Sequence, residues 1–492
     1  MTAARATDLR RALEILDACN GLVRIDRPVD PDGELTAVLD QMETEHIWSA
    51  ARFDSIVGYE GWSIVGSVFS DRANLATLFG TEPAELTSVL SERFDHPVAP
   101  VIVDDGAVHE HVAVGDAASL DDVPLVLHHE RDAARYVSLG LTFVKDPDTG
   151  RRNVGIYRYM QRDARTLVPS LTSISNIADI FRRQEERGEP LEIAIVPAAA
   201  PALVIAASYR AAMGVDECAL AGGLLEKPLR LVPAKTVAVE VPADAEVVIE
   251  GRILPGERHP EAPFADMSRS YSRVKRGPLT EVTAITRRRD PILQIAFSGH
   301  PDATNMAAVG HEVAVWRAVQ AATSNLVAVH VPPSGYGFHC YLAIHKVPTV
   351  EGSERGEQRN AMLAALGAVP QLKLVIAFDH DVDIFDEFKV MGALARRFQA
   401  KDASTGEDRL LVIPNAKGAT YDPSSFHREY PNSKLMIDAT LRSDLPPDVR
   451  ASFEEATPPW PREIDLADYL PTSGRPHQGA HRTGRFPRKG KP

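Results

Sequence analysis

Two acids, Glu261 and Asp266, stand five residues apart in PEAPFAD, where Pro260 and Pro263 bracket the first of them. Each proline fixes its φ and removes a donor, so this run is unsuited to a helix and poorly suited to a paired strand; a stiffened loop is expected. Pro263 and Phe264 lie between the acids and can shield them from water. Shielding raises a carboxyl pKa and makes a proton donor available near neutrality, although the same pair in an open loop would simply be solvated. A second polar set lies in RRNVGIYRYM, where Asn153 and Arg158 are five apart. On a regular strand such residues face opposite sides, so one shared site would require a bulge or turn near Gly155. Alone, Arg158 reads first as a structural ion-pair partner. Glu217, in AMGVDECALAGGL, adds a carboxylate, and Asp379-His380-Asp381-Val382-Asp383 has the look of a metal loop but is read as structural. Gly222-Gly223 is read as a helix-to-strand joint, and there is no GxGxxG or Walker sequence.

The elements that must position these groups follow from periodicity. Ala245 to Gly251 alternates and is β-branched, the pattern of a strand feeding a turn. It belongs to a strand-rich middle part that looks like a barrel: Val137 to Lys145 and Arg152 to Met160 as a hairpin about Asp146-Pro147-Asp148-Thr149-Gly150, then Leu191 to Val196, Ala202 to Ala207, Leu229 to Val241, Leu279 to Arg287 and Ile292 to Phe297. Before it, Thr7 can cap a helix over Asp8 to Cys19; Leu22 to Ile25 reads as a strand, and Glu34 to Glu45, Leu75 to Phe79 and Ala84 to Phe94 as helices. After it, Ala307 to Thr323 is amphipathic, with Val309, Val313, Trp316 and Val319 at helical spacing, a candidate connector. Beyond lie alternating strands and helices, hence an α/β domain. The expected fold is therefore multidomain α+β and α/β: an amino-terminal region over 1–112, a barrel over 113–300, a linker helix over 305–323, a carboxy-terminal α/β domain over 324–470 and a disordered basic tail over 471–492.

Length and charge narrow the function. A chain of 492 residues exceeds one ordinary core. Its formal charge of −14, from 54 basic and 68 acidic residues, argues against nucleic acid as the main partner. Cys19, Cys218 and Cys340 show neither disulfide nor zinc spacing. No run approaches the roughly 18 apolar residues of a membrane span, and the amino terminus lacks an apolar signal core, so a reducing cytoplasm is expected.

The string VPADAEVVIEGRILPGERHPEAPFADM resembles the signature of the UbiD family of reversible decarboxylases, usually close to AEIVIEG followed by PEGPFGEM. Here Ala262 and Ala265 stand where the family has glycines, and Asp266 where it has a second Glu. The resemblance runs from about Asp8 to Leu470, and LVRIDRPVDPDGELTAVL is similar to members acting on aromatic acids. It implies a split-barrel domain binding prenylated FMN, made by a flavin prenyltransferase, and a carboxy-terminal domain that makes a homodimer. It also implies roles. Arg158, Glu261 and Asp266 would be catalytic, with Asp266 returning the proton; the shorter side chain leaves Glu261, His300 or His311 as alternative donors. Asn153, Asn176 and Glu217 would hold Mn²⁺ or Mg²⁺ at the cofactor phosphate, with Asn176 standing where the family has His. Ile156, Tyr157, Ala207 and Ser208 would border the cofactor, the last two near K⁺, while Met267, His300, Tyr336 and Phe338 would border the substrate. The implied reaction is non-oxidative decarboxylation of an aromatic or heteroaromatic acid. Phenazine-1-carboxylate is the first expectation, and protocatechuate or 4-hydroxybenzoate the rival. A flavin-binding protein with a lapsed site, or a flavin reductase on the same barrel, are the other classes to separate.

Overall fold

The computed structural model describes residues 5–171, 175–209, 211, 214–346, 356–402, 406–419, 421–425 and 431–454. The expected tail over 471–492 lies outside them. The chain opens with helix Leu9–Ala18, capped by the Asp8 carboxylate on the Arg11 N–H rather than by Thr7. Strands Leu22–Ile25, Ala50–Phe53 and Ser63–Gly66 then form a sheet whose fourth member, Ile292–Gln294, comes from far along the chain and pairs in parallel with Ser63–Gly66. Ile292 to Phe297, expected in the barrel, thus completes the amino-terminal sheet instead. A β-branched run shows that it is a strand and not which sheet it joins.

The barrel is closed. Its strand order is Val247–Ile253, Leu191–Val196, Tyr136–Lys145, Arg152–Gln161, Thr166–Pro169 and Thr280–Arg287, with the last paired back onto the first and His111–Val114 added outside. Strand Val247–Ile253 continues through Gly251, with a register shift between Glu250 and Gly251. A Cβ at Gly251 would lie 2.5 Å from the Glu281 carbonyl oxygen, so this ladder requires glycine there. Two expected strands differ. Ala202 to Ala207 lies within a helix, Pro201–Ser208, with proline in its first turn. PALVIAAS is apolar almost throughout and buried on most sides, so it carries no period that separates helix from strand. Leu229 to Val241 splits into Arg230–Pro233 and Glu240–Pro242, which pair with each other.

Helix Pro301–Ala322 leads into a five-stranded sheet ordered Leu326–His330, His339–Ile344, Leu374–Asp379, Pro431–Asp438, Leu410–Lys417. Alternation along the strands explains its two covers. Cys340, Leu342, Val375 and Ala377 pack with Ala361, Met362 and Ala365 of helix Glu357–Ala368, while Tyr341, Ala343, Ile376 and Phe378 pack with Val390 and Ala393 of helix Glu387–Arg397. The acids after Phe378 are structural: Asp379 accepts the Leu441 N–H and Asp381 pairs with Arg397. Cys19, Cys218 and Cys340 are free. No helix among the described residues is long and apolar enough to cross a membrane.

Candidate active site

The Pro-flanked acid is not in a free loop. Strand His259–Glu261 pairs with Lys275–Gly277 in a two-stranded ribbon, with Glu261 opposite Lys275. Both strands of such a ribbon are edges, where proline is tolerated. The chain then turns through Ala262, whose φ of 85° is left-handed, and a cis bond to Pro263. A segment 130 residues earlier supports this turn. Asp132 accepts the Ala265 N–H at 2.9 Å, Ala133 donates to the Pro263 carbonyl at 2.8 Å, and the Tyr136 ring lies against Phe264 with centroids 4.5 Å apart. Ser272 donates its N–H to the Phe264 carbonyl from the other side.

This support brings both acids to Arg158. Its Nε and Nη2 donate to the two oxygens of Glu261 at 3.0 and 3.2 Å, and Nη1 donates to Asp266 at 2.6 Å. A further contact reaches Ser272 Oγ at 3.3 Å, and the guanidinium lies 4.7 Å from the centre of the Phe264 ring. The missing methylene of Asp266 is thus made up by loop position. Strand Arg152–Gln161 contains no bulge at Gly155; the extra residue sits in the facing strand, where Ser138 and Leu139 oppose Arg158 alone. Glu261 is buried, whereas Asp266 and Arg158 line a cavity of about 310 Å³ with Ile156, Tyr157, Phe264, Met267 and Lys275. Ser138, Ser298, Gln371 and Tyr421 bring polar groups to the same wall.

At the other end of the Arg158 strand, Asn153 Nδ2 donates to Glu217 at 3.0 Å and the Val154 N–H donates to its second oxygen. Burial pushes the Glu217 carboxyl up to about 7, against the N–H bond from Val154 that lowers it. Asn153 Oδ1 is buried with no hydrogen-bond partner among the described residues. An orphaned amide oxygen beside a buried carboxylate fits a hard cation, which takes oxygen ligands. Asn176 opens helix Asn176–Glu186 and is half-buried, with no hydrogen bond among the described residues to that pair. The neighbouring Ser175 bonds the Tyr157 hydroxyl, which burial pushes up to about 12. Ala207 and Ser208 end helix Pro201–Ser208, and a Cβ at Gly310 would lie 2.6 Å from Ser208 Oγ, so the long helix passes close by.

Of the residues expected around the substrate, Met267 lines the cavity. Phe338 stands one layer back, stacked on the cavity-lining Tyr421 with centroids 5.1 Å apart, and Tyr336 caps a short turn with a left-handed φ of 51°. His300 stacks on Phe297 with ring centroids 3.6 Å apart and pairs with Glu43, outside the residues that line the cavity. Burial lowers its pKa, opposed by Glu43. His300, Asp40 and Glu43 are close enough to ligate a metal, yet the Arg269 guanidinium already occupies Glu43. His311 is buried within the long helix. Asp132, Ser272 and Tyr421 have no signature in the sequence, for each reaches the site through a contact made only by folding.

Known proteins match along the chain. Models described as the 3-octaprenyl-4-hydroxybenzoate carboxy-lyase amino-terminal, Rift-related and carboxy-terminal domains match residues 13–94, 101–301 and 304–439. Anhydromevalonate phosphate decarboxylase of Methanothermobacter thermautotrophicus is 29% identical over 77% of this chain and 85% of its own. Gallate decarboxylase of Lactiplantibacillus plantarum is 28% identical over 91% of this chain and 96% of its own. The structure of the UbiD-class enzyme HmfF from Pelotomaculum thermopropionicum in complex with FMN superposes with a TM-score of 0.85 at 32% identity, covering 94% of this chain and all of that one. With a closed barrel, an arginine held between two acids and all three domain models matched in order, the chain belongs to the UbiD family of carboxy-lyases.

Proposed function

We propose that the protein is a prenylated-FMN-dependent, non-oxidative decarboxylase of a single-ring hydroxylated aromatic acid of the protocatechuate or 4-hydroxybenzoate kind. The observation that carries this reading is the Arg158 guanidinium clamped between Glu261 and Asp266 at the cavity wall. Decarboxylation removes CO₂ from an aromatic carbon and returns a proton to the same carbon, so R–COO⁻ and H⁺ become R–H and CO₂. Asp266 touches both Arg158 and the cavity, and is the acid placed to deliver that proton. Glu261, gripping two nitrogens of Arg158 from the buried side, fixes the guanidinium so that it orients the carboxylate. Phe264 and Met267 keep water from the reacting carbon.

When bound, a prenylated flavin would supply the electron sink for decarboxylation. Asn153 and Glu217 would hold a divalent cation at its phosphate, with Asn176, Ala207, Ser208, Ile156 and Tyr157 bordering it. The likeness to gallate decarboxylase supports a phenolic acid.

The test is CO₂ release across a panel of aromatic acids, with protein produced with and without a source of prenylated flavin. Release from a hydroxybenzoate that depends on the modified flavin and disappears in Glu261→Gln and Asp266→Asn is expected. Bound flavin without turnover on any acid would point instead to a lapsed, flavin-binding protein.

A further inference from the structure

The proposed site has a charge imbalance that Arg158 cannot correct. Its guanidinium faces two carboxylates, Glu261 and Asp266, and three of its nitrogens are already engaged. Once Asp266 has delivered its proton the three side chains carry a net charge of about −1, and the next incoming carboxylate meets that charge first. Among the described residues one other cation lies on the same wall. Lys275 lines the cavity and is half-buried, and its strand sets it directly opposite Glu261 in the ribbon register. Among the described residues its ammonium has no ion pair and no hydrogen bond, whereas other half-buried cations, such as Arg152 and Arg183, have carboxylate partners. A partly desolvated ammonium without a counter-charge is costly unless a ligand provides one.

We propose that Lys275 is a substrate-binding residue whose ammonium meets the carboxylate of the acid, supplying the positive charge that Arg158 has already committed to Glu261 and Asp266. This rests on the decarboxylase reading and extends it. Lys275 and Arg158 together then balance the two acids, so the substrate carboxylate enters a wall of net charge near zero rather than a negative one. Arg158 orients; Lys275 admits. The strand pairing explains how both serve one ligand, because Lys275 is tied to the residue that grips Arg158.

The experiment is equilibrium binding of 4-hydroxybenzoate and 3,4-dihydroxybenzoate against the neutral 4-hydroxybenzamide, by calorimetry on flavin-loaded wild type, Lys275→Met and Lys275→Arg. Lys275→Met is expected to weaken the acids about 10- to 100-fold, the loss of one charge-assisted contact, and to leave the amide within about twofold. Lys275→Arg restores most of the affinity, and in turnover the loss falls on KM more than on kcat. Equal weakening of acid and amide, unchanged acid binding, or no acid bound even by wild type would overturn the proposal. So would loss confined to flavin retention, which would assign the ammonium to the cofactor's own phosphate. Binding needs no turnover: acid held through Lys275 without CO₂ release would break the decarboxylase reading alone, and CO₂ release with unaltered binding in Lys275→Met would break this one alone.

Discussion

Two buried charge clusters in this molecule use the same side chains in opposite proportions. At Glu312 one carboxylate receives Arg72 Nη1 and Thr87 Oγ1 at 2.7 Å each and the Val331 N–H at 2.9 Å, with His330 Nδ1 at 3.0 Å. Burial alone would raise that carboxyl; Arg72 and His330 overcome it and hold it at about 2. At Arg158 one guanidinium serves two carboxylates beside a cavity. The first cluster joins the amino-terminal region, the long helix and the carboxy-terminal sheet, and every bond is satisfied within the protein. The second carries surplus negative charge and opens on space. Saturation marks a cluster that holds parts together, and imbalance marks one that awaits a reactant.

The comparison breaks most sharply at Asp266. Asp266→Asn is expected to lower CO₂ release about 10²- to 10⁴-fold, the usual contribution of a positioned acid, with little change in melting temperature. Glu312→Ala should do the reverse: a loss of about 3–5 kcal/mol in urea unfolding, with activity per folded molecule retained. The same residue gives a pH signature. Because its folded pKa of about 2 lies below the ordinary 4.5, its contribution is full above pH 4.5 and is lost as pH falls through about 2. Asp302 has the opposite sign: burial pushes it up to about 6 from 3.8, so stability falls as pH rises across that interval. Acid unfolding of Glu312→Ala should therefore lose the steep part of its slope between pH 4.5 and 2.

Asp132→Ala sharpens the other side. It removes the acceptor of the Ala265 N–H, and a shift of about 1 Å in Asp266 would cost about 10²-fold in kcat while substrate and flavin still bind. The smallest effect belongs to Ala262→Gly, which relieves a left-handed φ and should stabilise by up to about 1 kcal/mol.

How far this was visible beforehand depends on the kind of contact. Glu261 and Asp266 stand out in the sequence because their chemistry and their flanking prolines share one short string, and Arg158 and Glu217 because their strings keep the family's order. The barrel is legible as a succession of β-branched, apolar runs, although its central strands are buried on both faces and alternate little. Asp132 left no trace, since it meets the acid loop through a backbone N–H that any residue at 265 except proline would offer. Lys275 likewise becomes distinctive only once it proves unpaired. His300 pairs with Glu43, a partner more than 250 residues away that the sequence does not point to. Helix Pro201–Ser208 was taken for a strand because an all-apolar run has no polar face to betray its period.

The strand Ile292–Gln294 has a consequence for how the chain must be made. Until it arrives, Ser63–Gly66 is an open edge, and some 225 residues, including the whole barrel, must emerge first. Synthesis therefore cannot finish the amino-terminal region before starting the next one; the earliest residues wait for a late segment to seal them. A fragment ending near residue 112 would display that bare edge and invite pairing between copies, so the three matched regions are expected to survive as one translated unit and not as exchangeable modules.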